Sequence, residues 1–277
     1  MPHAARLDHA FDAEARKTAS AFPEFPPSMA VARSTRSKHR LRVRLADSIE
    51  DLQAAQRLRH RVFIEEMGAR LPVIHPGIES DRFDPYCEHL LVWDEDTNQV
   101  VGCYRILTDR QAARAGGYYA QTEFDLTRVL ALPGTLVEVG RTCVHPDFRS
   151  GAVIGLLWSG LARFMMMHRY EYLMGCASIP LTSGVEQVGA IWQTVSASHL
   201  SPPELRVYPK TPFATLPEAA IGKPAELPPL IKGYLRVGAQ VCGEPAWDPA
   251  FNAADLFLLL NFDRLSARYA RHFTYRQ

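Results

Sequence analysis

The run TLVEVGRTCV places Glu138 and Arg141 in a Glu-x-x-Arg spacing, and the chain then turns through Arg149, Ser150 and Gly151 towards Gly155. A carboxylate can accept a proton from an attacking nucleophile. A guanidinium can hold a substrate carboxylate through two parallel hydrogen bonds. The segment after Val144 breaks at His145-Pro146 and re-forms as an apolar helix near Ala152. The first turn of such a helix has free N–H groups and the positive end of the macrodipole, which together suit a phosphate. Phosphate, carboxylate and guanidinium therefore converge on one cleft, with Arg149, Ser150, Gly151 and Gly155 as the phosphate cradle.

A second set of charges lies upstream. Arg59 and Phe63 are spaced to share one helix face. Asp81-Arg82-Phe83-Asp84 brings two carboxylates together in a loop, and Arg105 interrupts the apolar strand VVGCYRIL. A charge in such a strand is costly unless paired, and Asp81, Asp84 or Glu138 are the candidate partners. The plain reading is a structural ion-pair network. The functional reading is a pocket for a small zwitterion, because buried ion networks are weak stabilisers and this one lies close to an anion site. A diamino acid would offer its carboxylate to an arginine and its distal ammonium to Asp81 and Asp84.

The elements that position these groups follow from local pattern. Residues 41–45 alternate Arg with Leu or Val, as a half-buried strand does, and Asp47 or Ser48 can cap the helix that follows. Residues 68–87 form a loop punctuated by Pro and Gly. The apolar runs 89–94 and 100–107 flank DEDTNQ as a hairpin. Short helical turns are expected at 109–114 and 124–130, a strand at 135–144, a helix at 152–169 and a strand at 172–177. A helix then runs from Thr182 or Ser183 to about 197. Prolines break up 202–229, leaving one strand near 206–208; a helix at 230–239 and a fully buried strand at 254–262 close the pattern. Hairpins with interposed helices favour a mixed sheet over a purely parallel one.

Composition narrows the function classes. Of 277 residues 47% are hydrophobic, enough for a sizeable core, and 31 basic against 30 acidic residues leave no global field to attract nucleic acid. The 5 cysteines form no C-x-x-C pair and read as free thiols of a reducing compartment. Cys143 lies near the proposed site, but on a strand it reads as a small core residue. His145, His168 and His199 lack metal-ligand spacing, so no metal is expected. The first residues carry no signal-peptide pattern, and the most apolar helix is too short to span a bilayer, so a cytoplasmic location is expected. Residues 1–40 read as a disordered, Pro-containing segment. From 30 to 46 there are arginines and a lysine but no acidic residue; this is either a solvated tail and edge strand or a contact with an acidic carrier protein or the anionic inner membrane face.

The strand ending in VHPDFR, the glycine turn and the long helix resemble the acyl-donor segment of the GNAT acyltransferase superfamily. The resemblance implies an α/β (α+β) fold with a mixed, mostly antiparallel central sheet flanked by helices, here as a single domain over 41–277 with a C-terminal extension. Free coenzyme A presents a pyrophosphate to several amides, whereas phosphopantetheine presents one phosphodiester. The displaced glycines of RSGAVIG therefore favour an acyl-carrier-protein donor, with no separate cofactor. Arg59, Phe63, Asp81, Asp84, Arg105 and the Glu138/Arg141 pair look like the charged signature of acyl-homoserine lactone synthases. That signature continues Arg-Phe, where this chain has Arg141-Thr142. The fuller strings HRVFIEEMG, DRFDPYCEHLLV and PPLIKGYLRVGAQVCGEPAWDPAFNAAD more closely resemble L-ornithine Nα-acyltransferases, over about 41–273. That resemblance implies transfer of a 3-hydroxy fatty acyl group to the α-amino group of ornithine, giving lyso-ornithine lipid, with Glu138 as base. A lactone-signal synthase and a non-catalytic lipid- or carrier-binding module are the alternatives.

Overall fold

The computed structural model describes residues 39–217, 225–262 and 265. The expectation of disorder falls almost wholly on residues 1–38, outside the described part. Strand β1 (Leu41–Leu45) begins the sheet. Helix α1 (Ile49–Arg59) follows, with Ser48 accepting the Asp51 N–H as its cap, and runs on into a π-helical turn at His60–Glu66. The hairpin β2 (Glu88–Asp94) and β3 (Gln99–Thr108) leads to α2 (Asp109–Ala115). After the short β4 (Phe124–Asp125) and α3 (Thr127–Leu130) comes β5 (Leu136–Val144), then α4 (Ala152–His168), β6 (Tyr172–Pro180) and α5 (Val185–His199). The remaining elements are β7 (Tyr208–Pro209), α6 (Pro229–Val237), β8 (Gln240–Val241), β9 (Ala246–Asp248) and β10 (Ala253–Asn261).

The main sheet runs β1-β2-β3-β5-β6-β10-β8, with β9 also on β10, and β4 pairs β7 apart from it. Every pairing within it is antiparallel except β5 with β6, so it is mixed and mostly antiparallel. The C-terminal portion is thus no appendage: β10 is an interior strand. Helix α4 buries Val153, Leu157, Leu161, Phe164 and Met165 at helical spacing against β1–β3. Each such burial contributes about 1.5–3 kcal/mol. The crossing is close at Gly160, where an added Cβ would lie 3.0 Å from both Leu90 and Val43 side chains. On the opposite face α1 packs against β3, β2 and β5.

Three expectations shift. The helix placed at Thr182 or Ser183 starts at Val185, because Gly184 at φ 88° separates it from a 3-10 turn over Leu181–Ser183. The turn expected at 124–130 opens as strand β4, which pairs Tyr208 and Pro209 and so moves the strand expected at 206–208. Strand β6 extends to Pro180 because β10 pairs it along its whole length.

Two distortions shape the middle of the sheet. Between Cys103↔Cys143 and Arg105↔Gly140 the register of β3 and β5 slips, and Arg141 sits there in left-handed backbone at φ 48°. A side chain held in that region costs about 1–3 kcal/mol, and such strain gathers at functional sites. Strands β5 and β6 pair only from Leu136↔Tyr172 to Glu138↔Met174, and then their pairing ends.

Candidate active site

Beyond Glu138 the gap between β5 and β6 is a cavity of about 300 Å³, lined by Val139–Val144, Cys176, Ser178, Phe63, Arg105, Tyr119, Arg149, Asp248, Phe251 and Asp255 as well as Glu138. Both Glu138 oxygens accept backbone hydrogen bonds, Oε2 from Tyr119 N–H at 2.7 Å and Oε1 from Ala120 N–H at 2.6 Å. The carboxylate therefore anchors the 3-10 turn of Tyr119–Thr122 while facing the cavity. Burial pushes Glu138 up to about 7, against the two amides and the nearby Arg105 and Arg141 charges, which pull it down. A carboxyl poised there can exchange a proton at neutral pH.

Six charged side chains assemble beside it. Arg59, 1% exposed, bonds Glu79 and, through Nη1 and Nη2, Asp84 at 2.8 and 2.6 Å. Arg105 Nη1 reaches Asp81 at 2.7 Å and Asp84 at 3.0 Å. Arg141 donates from Nε to Glu79 at 3.2 Å and from Nη2 to Asp81 at 3.0 Å. Three guanidiniums thus face three carboxylates. This corrects the assignment of Asp81 and Asp84 to a substrate ammonium, since both are already matched. Burial alone would raise Asp84, but the Arg59 guanidinium outweighs it and holds the carboxyl far below its usual range. Arg59 is likewise too deep to touch substrate; it positions the others.

Arg105 and Arg141 do reach the cavity. Their pairing with the acids uses Arg105 Nη1 and Arg141 Nε and Nη2, so neither fork is fully committed to carboxylates. The Arg141 guanidinium lies 4.7 Å from the Tyr119 ring centroid and 5.1 Å from that of Phe251. Phe63 meets Phe251 edge-on at 5.5 Å, which makes it cavity wall as its helix position indicated.

The strand-to-helix turn is present, with changed details. Gly151, at φ 96°, caps α4 without a side-chain hydrogen bond, so Ala152, Val153 and Ile154 occupy the positions whose N–H groups have no intrahelical partner. Gly155 is corrected: its N–H is spent on the Gly151 carbonyl at 3.1 Å. Arg149 grips Glu66 through two bonds of 2.6 and 2.7 Å and also donates to the Val144 carbonyl. Ser150 is exposed on the turn.

Of two small apolar voids, one shares walls with the cleft and the other shares walls with the first. Val139, Thr142, Cys176 and Leu230 also line a void of about 20 Å³ with Leu173, Tyr234, Ala239 and Leu260. Leu173, Tyr234 and Leu260 then border a groove of about 40 Å³ with Trp158, Leu161 and Met165. Trp158, Leu161, Met165 and Leu260 therefore line voids as well as the core. Cys143 is buried against Cys103, and burial pushes its thiol well up, so it is no nucleophile.

Glu79, Tyr119, Glu123, Asp248, Phe251 and Asp255 were not anticipated. Asp255 carried a usable signal, a charge in the apolar strand AADLFLLLN, the same feature that singled out Arg105. Glu79 and Glu123 carried none, since both lie outside any periodic run.

Comparison with known proteins sets this architecture in a class. A family model described as an acetyltransferase (GNAT) domain matches residues 58–159, from the end of α1 into α4, enclosing the ion network, β5 and the turn. The AHL synthase LasI superposes with a TM-score of 0.50 at 15% identity, over 86% of this chain and 95% of its own. FeeM, an N-acyl amino acid synthase from uncultured soil microbes, does so at 0.50 and 12%, over 82% and 93%. At those identities the likeness speaks for the fold, which is that of the GNAT-type acyltransferases. The L-ornithine Nα-acyltransferase of Brucella abortus (strain 2308) is 38% identical over 248 residues, 84% of this chain and 88% of the relative. That of Rhodobacter capsulatus is 38% identical over 252 residues, 84% and 95%. The chain belongs to the L-ornithine Nα-acyltransferase family.

Proposed function

We propose that the protein transfers a 3-hydroxy fatty acyl group from acyl-carrier protein to the α-amino group of L-ornithine, forming lyso-ornithine lipid. The observation that carries this reading is Glu138, a buried carboxyl near neutrality, standing where β5 and β6 stop pairing. The α-amine attacks the thioester carbonyl carbon, the C–N bond forms, the C–S bond breaks and the carrier thiol leaves. Glu138 accepts the amine proton, directly or through water, and the departing thiolate is protonated in turn. Backbone amides on the edge of β5 beyond Glu138, where β6 no longer pairs it, are the donors assigned to the oxygen that becomes anionic. The ornithine carboxylate goes to the uncommitted N–H groups of Arg105 and Arg141.

The donor phosphate goes to the Ala152–Ile154 amides with Arg149. An exposed pair such as Arg149 with Glu66 is worth about 0–1 kcal/mol, so a phosphate can open it. Arg149→Ala is expected to raise the KM for the acyl-carrier protein by roughly 10- to 100-fold, the loss of one charge-assisted bond. Glu66→Ala, which frees Arg149, is expected to lower it; steady-state rates against carrier concentration check both. The acyl chain goes towards the two apolar voids. No helix among the described residues is long and apolar enough to cross a membrane. Arg40, Arg42 and Arg44 of the basic stretch are paired with Asp96, Glu95 and Asp51, which leaves less of it for an acidic carrier or an anionic headgroup.

The test is direct. The purified protein is incubated with 3-hydroxyacyl-carrier protein and ornithine, lysine, S-adenosylmethionine or buffer, and products are followed by mass spectrometry. Acyl-ornithine is the expected product. Lactone would move the assignment to signal synthesis, and no thioester consumption would leave a binding module.

A further inference from the structure

Three carboxyl groups outside the arginine network gather at the edge of the same cleft, Asp248 and Asp255 in its wall and Glu123 behind them. Glu123 follows the turn that Glu138 anchors, Asp248 ends β9, and Asp255 lies on β10 opposite Ser178 of β6. One oxygen from each lies within 4.8 Å of the others. Asp248 and Asp255 line the cavity together with Glu138 and Arg141. Asp255 is 3% exposed, and its Oδ1 is buried with no hydrogen-bond partner among the described residues. The same holds for both oxygens of Glu123. Asp248 is held in place by the Ala250 and Phe251 N–H groups, which donate to its Oδ1 at 2.8 and 3.1 Å.

Buried acceptors short of donors cost about 1–3 kcal/mol each, and beyond the Tyr119 and Ser178 hydroxyls and a proton held between Glu123 and Asp255 this cluster has room for a donor that arrives with a ligand. The nearby guanidiniums donate to Glu79, Asp81 and Asp84 rather than to this cluster. An ammonium brings one positive charge and three N–H donors, one for each carboxyl group of the cluster.

We propose that Glu123, Asp248 and Asp255 form the site for the side-chain ammonium of a diamino acid acceptor, and that they set the preference for it over neutral amino acids of equal length. The inference rests on the reading that the acceptor is ornithine. It replaces Asp81 and Asp84 in the role that the sequence had suggested for them. With the carboxylate on Arg105 and Arg141 and the distal ammonium on this cluster, the α-amine lies between two fixed ends, near Glu138.

The electrostatics agree. Burial, then the charge of Asp255, pushes Glu123 up to about 9, and burial raises Asp255 as well. Without substrate the cluster therefore keeps a proton near neutrality, which an arriving ammonium displaces. The other ionisable groups facing it are Tyr119 from its own turn, Cys176 from β6 and Arg141 from β5. As pH rises towards 9 that proton is lost and the attraction for an ammonium grows. A primary alkylammonium, with a pKa of about 10.4, stays charged over the same range.

The experiment is a competition. The enzyme with 3-hydroxyacyl-carrier protein receives equal ornithine and norvaline, which lacks only the δ-nitrogen, and the two acylated products are quantified by mass spectrometry between pH 7 and 9. Ornithine is expected to win by at least roughly 100-fold, because norvaline leaves buried charge without a donor. The ratio is expected to rise with pH relative to the same ratio in the variants below, a comparison in which each acceptor's own α-amine ionisation cancels. In Glu123→Gln and Asp255→Asn the ratio is expected to fall at least tenfold and lose the cluster's part of its pH dependence, while melting temperatures stay level or rise because mutual carboxyl repulsion is relieved. A wild-type ratio near one, or a ratio unchanged in both variants, overturns the assignment. So does a preference abolished by EDTA and restored by Mg²⁺ or Mn²⁺, which would give the cluster to a metal ion. Failure to acylate either amino acid sinks the ornithine reading itself, whereas acylation of both without preference sinks only this inference.

Discussion

Glu138→Gln is expected to lower kcat/KM for ornithine acylation by roughly 10²- to 10⁴-fold, the range that a positioned general base contributes. A loss of that size alone would not identify a base. Gln presents one acceptor and one donor group where Glu138 accepts from both Tyr119 and Ala120 N–H, so one backbone donor loses its partner. That costs about 1–3 kcal/mol of stability and disturbs the turn beside Arg141. The pH profile separates the two effects. In the wild-type protein kcat/KM should rise with pH through a limb near 7, where burial has placed the Glu138 carboxyl. In the variant that limb should vanish, and the residual rate should follow the acceptor amine alone. A variant that is slow but keeps the limb near 7 would make Glu138 an anchor for the turn and place the base elsewhere.

Stability gives an independent check on the same group. The folded carboxyl at about 7 lies above its ordinary 4.5, so the folded state binds the proton more tightly than the unfolded chain does. Its contribution is present in full below 4.5 and is lost as pH rises through 7. Wild-type stability should therefore fall across that window relative to the glutamine variant, which has no proton to lose there.

Much of the frame was legible because its signals are local. Ser48 caps α1 where a capping serine was read, the hairpin of β2 and β3 follows its alternating runs, and Gly151 marks the start of α4. The site was legible in its members more than in its partnerships. Arg59, Phe63, Asp81, Asp84, Arg105, Glu138 and Arg141 do come together, yet which acid answers which base depends on loop closure. Glu79 enters from a loop with no periodicity, matches Arg59 and Arg141, and so completes a network in which the charges of Asp81 and Asp84 are already balanced. The left-handed Arg141 was invisible for a related reason: Gly140 stands next to it, and sequence gives the strained position to the glycine. The acidic cluster joins positions 248 and 255, which the pairing of β9 with β10 brings together, to position 123 at the end of the turn that Glu138 anchors, three places no local pattern links.

The balanced network carries the second large effect. Arg59→Met leaves three carboxylates facing two guanidiniums in a site where Arg59, Glu79 and Asp84 are each 3% exposed or less. Removing one partner of a buried pair costs about 3–5 kcal/mol. At about 2–4 °C per kcal/mol for a domain of this size, the melting temperature should drop by roughly 6–20 °C. Activity should fall as well, because Glu79, Asp81 and Asp84 hold Arg105 and Arg141 in the cleft. The double variant Arg59→Met, Asp84→Asn restores two against two and is expected to melt above Arg59→Met alone. That reversal is the deciding result, since independent sites would make the double variant the least stable of the set. Dependence on pH should change sign too. In the wild-type protein Asp84 is held below its ordinary 3.8, so its contribution is present above that value and is lost as pH falls through the folded pKa. Without Arg59 the burial effect pushes Asp84 upward, a proton neutralises the surplus charge, and the deficit of Arg59→Met should shrink between pH 7 and 5.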